Sequence, residues 1–285
     1  MIEKVDCDCE RIMKIVVFAP ILFTLGINIL FTNLATANSS EASSAELAKE
    51  LANPLAALIS VPMQINYDQD LGVDDTGDRY IINFQPVIPI SLSEDWNLIS
   101  RTIVPVVTQD EISAGSGRQT GLGDTIESLW FSPVKPTEKG WIWGVGPAIL
   151  VPTATDDLLG GKKWGLGPTF IGLKQNGPWT FGGLMNHIWS VAGSDSRDDI
   201  SNTFFQPFIA YNTPTAVTYA LNAEATYDWE SEQSAVPVNF MVSKLVNISE
   251  QMISFQGGVR YWVDSTDRGP EGLGLRFAIT FLFPR

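Results

Sequence analysis

The stretch Leu273–Phe283 reads LGLRFAITFLF, and its alternation decides the fold. Every second position is apolar: Leu273, Leu275, Phe277, Ile279, Phe281 and Phe283. The positions between them include Gly274, Arg276, Ala278 and Thr280. Because successive side chains of a β-strand point to opposite faces, the segment predicts a strand with one apolar face and one small or polar face.

Eleven earlier segments alternate in the same way, although 141–153 and 164–174, which are rich in Gly and Pro, do so poorly. The predicted strands are 60–68, 79–91, 97–109, 123–133, 141–153, 164–174, 179–192, 201–211, 217–229, 235–246, 252–263 and 273–283. An even number of short alternating segments is typical of an all-β, transmembrane, antiparallel up-and-down meander β-barrel with twelve strands. A soluble sandwich or barrel is the alternative.

The connections favour the membrane barrel. Polar and mostly longer segments, 69–78, 110–122, 155–163, 193–200, 230–234 and 264–272, alternate with tight ones, 93–96, 134–140, 175–178, 212–216 and 247–251. Long loops at one end and short turns at the other are the outer-membrane arrangement, with the turns and both termini in the periplasm.

Tryptophans add support. We expect Trp96, Trp130, Trp141, Trp143 and Trp179 near the tight turns, and Trp164, Trp189, Trp229 and Trp262 near the long loops. Two such clusters match the aromatic girdles at membrane interfaces. Packing in a core is the other interpretation of these residues.

The N-terminus predicts export. Lys14, an apolar run from Ile15 to Phe31 and Ala35-Thr36-Ala37 describe a signal peptide over 1–37, cleaved before Asn38. A membrane anchor is the alternative, and Met13 is a second candidate start. We expect an N-terminal periplasmic segment over 38–59, with a short helix over 44–59 that Asn53-Pro54 interrupts, and the barrel over 60–285. The helix is expected inside the lumen, at its mouth or on the membrane surface.

Composition excludes several classes of function. The net charge is −14 without a basic stripe, so no nucleic-acid partner is expected. With one histidine, His187, and both cysteines, Cys7 and Cys9, inside the predicted signal peptide, we expect no cofactor and no metal site. The acidic pairs Asp156-Asp157 and Asp198-Asp199 are interpreted as solvated loop charges rather than calcium ligands.

An outer-membrane lipid hydrolase is a further alternative, and it would need a serine within reach of His187. His187 and Ser190 are three positions apart, so in a strand they point to opposite faces and do not pair as base and nucleophile. A serine from elsewhere in the chain stays open, but the sequence favours a protein that is not an enzyme.

The predicted inward faces carry the candidate functional residues. These lumen-lining side chains are Arg101, Glu224, Arg260, Arg276, Gln64, Asn83, Gln85, Gln206 and Asn222. Charges of both signs inside a narrow barrel set its polarity and select solutes. The other interpretation is that they neutralise one another and fill a closed barrel.

Nine quoted segments together resemble one bacterial family. They are NPLAALISVPMQINYDQD (53–70), TGLGD (120–124), GVGPAILVPTATDDLLG (144–160), KWGLGPTF (163–170), NHIWSVAG (186–193), NTFFQPF (202–208), YDWE (227–230), VNFMVSKL (238–245) and GVRYWVDSTDRGPEGLGLRFAITFLFP (258–284). The chain resembles the family of the MetA-pathway of phenol degradation, also called "transporter". The resemblance implies an outer-membrane barrel that passes small, aromatic or hydrophobic molecules, and it brings no catalytic motif.

We therefore expect a monomeric outer-membrane channel for passive uptake of small molecules. Its expected partners are outer-membrane lipid, a small solute and the barrel-assembly machinery, which would read the C-terminal comb Leu275, Phe277, Ile279, Phe281 and Phe283. Pro284 and Arg285 follow that comb, whereas such signals usually end in Phe. A non-conducting structural or binding barrel is the alternative.

Overall fold

The computed structural model describes residues 38–72, 74–112 and 115–283, with side chains from Ser44 onward. The predicted signal peptide lies outside these residues. Helix α1 spans Asn38–Leu51, and residues from Ala42 onward form one compact unit. Twelve strands follow: β1 Ile59–Leu71, β2 Gly77–Phe84 with Val87–Ser91, β3 Trp96–Asp110, β4 Gln119–Leu122 with Thr125–Pro133, β5 Trp141–Val151, β6 Lys163–Asn176, β7 Trp179–Gly193, β8 Ser201–Asn212, β9 Val217–Ala223 with Ala225–Asp228, β10 Gln233–Ile248, β11 Gln251–Asp264 and β12 Gly272–Phe283.

The strands form one closed antiparallel meander. Each strand pairs with its neighbours in the chain, and β12 pairs with β1 from Ile59 opposite Phe283 to Tyr67 opposite Leu275. Closure leaves no free sheet edge, which matters because an unpaired backbone group is costly in hydrocarbon. The predicted twelve-stranded barrel is confirmed.

Most strands extend beyond the predicted bounds at the end with the longer connections, whereas β5 ends at Val151 rather than 153 and β9 at Asp228 rather than 229. There the connecting segments are 72–76, 111–118, 152–162, 194–200, 229–232 and 265–271, whereas the opposite end has 92–95, 134–140, 177–178, 213–216 and 249–250. We call these the long-loop end and the short-turn end. The ladder continues through polar residues such as Gln69 and Gln119, because hydrogen bonding does not stop where the apolar pattern stops.

Three strands are interrupted where prolines face them. Gln85 N and Gly123 N donate to the carbonyls of Pro62 and Pro105, and Glu224 N donates to Pro237 O. Proline has no N–H, so the reciprocal ladder bond is missing at each place. The interruptions therefore follow from the sequence and leave the sheet closed.

A Gly-x-Gly-Pro motif explains why two strands alternate poorly. It occurs at 144–147 on β5 and at 165–168 on β6, and the two prolines face each other. A Cβ on Gly146 would lie 1.9 Å from Leu129 O, and one on Gly167 would lie 1.7 Å from His187 O. Neighbouring backbones thus approach at positions where only glycine fits.

The outside of the barrel is apolar. Large side chains at alternate positions are exposed on it, among them Tyr219 and Leu221 on β9, Val259 and Tyr261 on β11, and Phe277 on β12. Their neighbours Arg260 and Arg276 are buried on the inner face. A soluble barrel has the opposite polarity, so this arrangement suits a barrel surrounded by lipid.

One carboxylate interrupts this apolar exterior. Glu127 on β4 lies between the cavity-lining residues Ile126 and Ser128, so its side chain faces outward. It accepts hydrogen bonds from Ser100 Oγ at 2.6 Å and Thr102 Oγ1 at 2.5 Å. The two hydroxyl donors of β3 stabilise the carboxylate where water is scarce.

The girdle prediction is wrong for two tryptophans. Trp96, Trp141 and Trp179 are exposed at the short-turn end, and Trp164, Trp189 and Trp229 at the long-loop end. Trp130 is fully buried and donates from Nε1 to Thr169 Oγ1 at 3.1 Å. Trp262 lines the interior cavity. Both occupy positions whose side chains alternation directs inward. Alternation, and not distance from the end of the strand, therefore decides where these two side chains lie.

The N-terminal segment occupies the short-turn end of the barrel interior. Ala48, Ala56 and Leu58 pack with Leu245 and Leu282. Leu55 packs against five inward-facing residues of four strands, Ile99, Trp130, Ile171, Leu173 and Leu184. The helix ends at Leu51 rather than at residue 59, since Asn53 Oδ1 caps the Leu55 amide at 3.0 Å and Pro54 follows. The N-terminal segment therefore lies inside the lumen, which is one of its three predicted positions, and not on the membrane surface.

The described part of the chain has no helix that is long and apolar enough to cross a membrane.

The apolar exterior yields a stability prediction. Phe240 is exposed at the middle of β10, and Val263 is exposed near the end of β11. We expect Phe240→Arg to lower the free energy of unfolding by about 2–4 kcal/mol, and Val263→Arg by about 0–1 kcal/mol, because the penalty depends on depth in the bilayer. Urea titration of protein folded into lipid vesicles measures both, and equal effects at the two positions would contradict a lipid-facing exterior.

Candidate functional site: a charged cavity inside the barrel

A cavity of about 540 Å³ lies inside the barrel. A second one, of about 290 Å³, lies nearer the short-turn end, where residues 48–58 line it. Six residues line both cavities: Gln85, Arg101, Leu184, Gln206, Asn222 and Gln256. These six residues therefore mark the level at which the N-terminal segment meets the larger cavity.

All nine predicted lumen residues lie on the wall of the larger cavity. Eleven of the twelve strands contribute to this wall, so the residues meet only through barrel closure. The nine are Gln64, Asn83, Gln85, Arg101, Gln206, Asn222, Glu224, Arg260 and Arg276. They lie together because each occupies a position whose side chain points into the barrel.

The strongest contact in the cavity joins Arg276 and Glu224. Arg276 Nη1 and Nη2 donate to Glu224 Oε1 and Oε2, each at 2.8 Å, and Arg276 Nε donates to Asn66 Oδ1 at 2.7 Å. Gln206 Nε2 donates to the same carboxylate at 3.3 Å. This two-pronged pair spans the interior from β12 to β9 and holds both charges in fixed positions.

A second cluster forms around Asp68, a fully buried carboxylate of β1. Trp262 Nε1 donates to its Oδ1 at 2.9 Å. Arg260 Nε lies 3.4 Å from Oδ1, and Arg79 Nη2 lies 3.6 Å from Oδ2. The Arg260 guanidinium also lies over the Trp262 ring, 4.8 Å from its centroid. One carboxylate thus faces two guanidinium groups.

Sequence reasoning did not select Asp68, Arg79 or Trp262, although the first two shared the predicted polar parity. A further signal was available in Gly274 of β12. A Cβ there would lie 2.8 Å from Arg260 Cγ and 3.0 Å from Asp68 Oδ1. The small residue between Leu273 and Leu275 leaves room for the charged side chains of the adjacent strands.

Arg101 differs from the other interior arginines. Its Nη2 donates to Gln85 Oε1 at 2.9 Å. Within residues 44–283, no carboxylate lies within 4.0 Å of its guanidinium nitrogens. It is a cation of the cavity wall that lacks an ion-pair partner.

The loop 152–162 folds against the interior at the long-loop end. Asp124 accepts hydrogen bonds from Ala154 N at 3.1 Å and Gly161 N at 2.7 Å. Gln109, buried on β3, donates to Leu158 O at 3.2 Å. These hydrogen bonds hold the loop against β3 and β4 at the long-loop end of the barrel.

Acidic residues of the loops are paired with lysines. Lys162 Nζ lies 2.5 Å from Asp157 Oδ1, and its hydrogen bond and charge lower the pKa of that carboxyl. Lys163 Nζ donates to Asp199 Oδ1 at 3.0 Å, and Ser190 Oγ donates to the same oxygen. The bond from Lys163 is the main cause of the lowered pKa of Asp199.

His187 and Ser190 lie apart, as their spacing predicts. His187 Nδ1 bonds Thr203 Oγ1 at 2.7 Å and its ring packs on Trp189, an exposed residue. Ser190 Oγ instead donates to Asp199. Among the residues with described side chains, no three His, Cys, Asp or Glu are grouped so that they could hold a metal ion.

A closed antiparallel barrel with an apolar exterior and a charged interior belongs to the class of membrane β-barrels. The chain belongs to the family described as "Putative MetA-pathway of phenol degradation", whose model matches residues 70–282. That match confirms the resemblance seen in the sequence. No curated protein matches this chain.

A solved structure has the same fold. The COG4313 outer membrane channel from Pseudomonas putida F1 is similar with a TM-score of 0.63 at 14% identity, over 80% of this chain and 96% of that one. Outer membrane phospholipase A from Escherichia coli is less similar, with a TM-score of 0.48 at 11% identity, over 79% of this chain and 96% of that one.

The Arg276–Glu224 pair yields a second stability prediction. Arg276→Met leaves Glu224 without its two-pronged partner, and we expect the free energy of unfolding to fall by about 3 kcal/mol, the low end for a broken buried pair since water can enter the cavity. Adding Glu224→Gln should recover part of this loss. A double-mutant cycle in vesicles measures the coupling, and fully additive effects would contradict it.

The loop ion pairs yield a pH prediction. A folded-state pKa below the unfolded value means that the stabilisation is present above about pH 3.9, the ordinary aspartate pKa, and is lost as the pH falls through the lowered value. We expect Lys163→Met to raise the pKa of Asp199 and leave that of Asp157 lowered, with Lys162→Met doing the reverse. Carbon-13 NMR of the carboxyls tests this; an unchanged Asp199 titration in Lys163→Met would refute the assignment.

Proposed function

We propose that the protein is an outer-membrane channel for passive uptake of small molecules, including aromatic or hydrophobic ones. The observation that carries the proposal is the interior cavity of about 540 Å³, whose wall holds all nine predicted lumen residues while the barrel exterior is apolar. An apolar exterior requires lipid, and a polar interior requires water or polar solute. A channel fulfils both requirements.

Solutes would diffuse through the interior, with the charged side chains setting selectivity. Loop 152–162 would screen the outer mouth, and residues 44–58 would narrow the periplasmic end. Both constrictions rest on contacts given above: Gln109 to Leu158 O in the loop and Leu55 against Trp130 in the segment. Chemistry on the solute is not part of this mechanism.

The long-loop end would face outside and the short-turn end the periplasm, as in other outer-membrane barrels. Export would use the signal peptide over 1–37. The comb Leu275, Phe277, Ile279, Phe281 and Phe283 lies on the outward face of β12 and would serve as the signal for barrel assembly. We propose a monomer, because the closed barrel needs no partner to complete its sheet.

A non-conducting barrel is the second candidate, and one observation favours it. Leu55 reaches inward-facing residues of β3, β4, β6 and β7 at the short-turn end, where it fills space that a conducting path would need. In that case the barrel would present its acidic loops to a partner. The two candidates differ in whether ions cross the barrel.

Planar-bilayer conductance of refolded protein tests the proposal. We expect ion conductance from the intact chain, and a several-fold larger single-channel conductance when residues 44–58 are deleted, because Leu55 and its neighbours no longer fill the periplasmic end. Leu55→Ser is a milder matched variant and should give an intermediate increase. If all three forms fold, as judged by a heat-modifiable gel shift, and none conducts, the channel proposal fails.

A further inference from the structure

The interior cavity has two unlike walls. One wall, on β9 to β12, β1 and β2, carries charged residues, chiefly Glu224, Arg260, Arg276, Asp68 and Arg79. The opposite wall, on β3 to β8, is apolar: Ile103, Ile126, Leu150, Leu184, Ile188 and Phe204. Polar residues occur on this second wall, among them Ser128, Asn186 and Asn202, but beyond Arg101 none of the side chains that line it is charged.

Positive charge exceeds negative charge around the cavity. Four guanidinium groups, those of Arg79, Arg101, Arg260 and Arg276, line it together with two carboxylates, Asp68 and Glu224. Arg276 engages both oxygens of Glu224, and Arg79 and Arg260 share Asp68 at 3.6 and 3.4 Å. The cavity therefore has an excess of cationic donors over anionic acceptors.

One of these donors lacks an anionic partner. Among the described residues, Arg101 donates only to the neutral amide oxygen of Gln85. Arg79 Nε and Arg260 Nε also lack a hydrogen-bond partner there, but both guanidinium groups are ion-paired with Asp68, whose Oδ2 is unpartnered as well. A cationic donor inside a cavity without an anionic acceptor is unfavourable, so Arg101 favours an added anion.

Arg101 lies where the two walls meet. It is on β3, beside Gln85 of β2, and Ile103 is the next inward-facing residue on the same strand. An anion held by Arg101 would thus have its remaining atoms beside Ile103 and Ile126. The arrangement combines a cationic anchor with an apolar surface within one cavity.

We propose that this cavity binds a small organic monoanion with an apolar body, such as an aromatic or short aliphatic carboxylate. The carboxylate accepts hydrogen bonds from Arg101, and the apolar body packs against the wall of Ile103, Ile126 and Leu150. This inference rests on the proposed channel function and specifies its solute class. The cavity volume of about 540 Å³ lies within the range of ligand pockets, roughly 300–1,000 Å³.

The two walls predict an order of preference. A neutral aromatic compound uses the apolar wall only, and a small anion such as acetate uses the cationic wall only. An organic cation is repelled by the excess of guanidinium groups. Each partial match should bind at least about tenfold more weakly than the full match, since one charge-assisted hydrogen bond or one buried apolar body accounts for that factor.

Bilayer recordings in potassium chloride test the proposal with benzoate, benzamide, benzylammonium and acetate as probes. We expect benzoate to reduce the current in a saturable manner, and the other three to need about tenfold higher concentration. Calorimetric titration of the refolded full chain with the same four compounds measures binding independently of conductance.

Variants assign the two walls. Arg101→Gln should weaken benzoate binding about tenfold and leave benzamide unchanged, whereas Arg101→Lys should retain part of the preference for the anion. Ile103→Ser should weaken benzoate and leave acetate unchanged. Arg118→Gln is the matched control: this loop arginine pairs with Asp110 and does not line the cavity, so all four probes should behave as with the original chain.

The outcomes separate this inference from the channel proposal. Conductance together with equal effects of benzoate and benzamide would overturn the solute class and leave the channel standing. Benzoate binding by calorimetry without conductance would support the cavity and overturn the channel. Unchanged benzoate binding in Arg101→Gln would refute the role of Arg101.

Discussion

The fold depends on one constraint, the complete pairing of backbone hydrogen bonds around a closed sheet. Pairing of β12 with β1 removes both free edges, and the alternation of side chains then separates an apolar exterior from a polar interior. Closure also brings Arg276 of β12 beside Asn66 of β1 and across from Glu224 of β9. The interior chemistry is thus a consequence of how the sheet closes.

Inside the closed barrel, the arginines that line the cavity outnumber the carboxylates. Arg276 and Glu224 satisfy each other, and Asp68 is shared by two arginines. Arg101 has no carboxylate partner among the residues that the structure describes. The apolar wall of β3 to β8 lies opposite. A barrel filled only for stability would need neither the surplus of cations nor the empty volume between the walls, and both fit a passage for solutes with a negative charge and an apolar part.

Much of this was predictable from alternation. The comb of β12, the even number of strands and the inward parity of residues such as Gln64 and Arg260 follow from a period of two. Trp130 and Trp262 were misassigned because position along the strand was given more weight than parity. Pairs such as Arg276 with Glu224 join strands that are distant in sequence, and local patterns carry no information on such contacts. Helix α1 ends at Leu51, just before Asn53-Pro54, where the sequence predicts an interruption, and it does not resume after it.

Thiol labelling of single-cysteine variants tests the central claim most directly, since no cysteine follows Cys9 in the sequence. Gln206 faces the cavity and its neighbour Phe205 is exposed on the apolar exterior. In bilayers, a charged, membrane-impermeant thiol reagent should modify Gln206→Cys and reduce the current, and should leave Phe205→Cys unmodified. Modification of Phe205→Cys with protection of Gln206→Cys would contradict a water-filled interior inside a lipid-facing barrel.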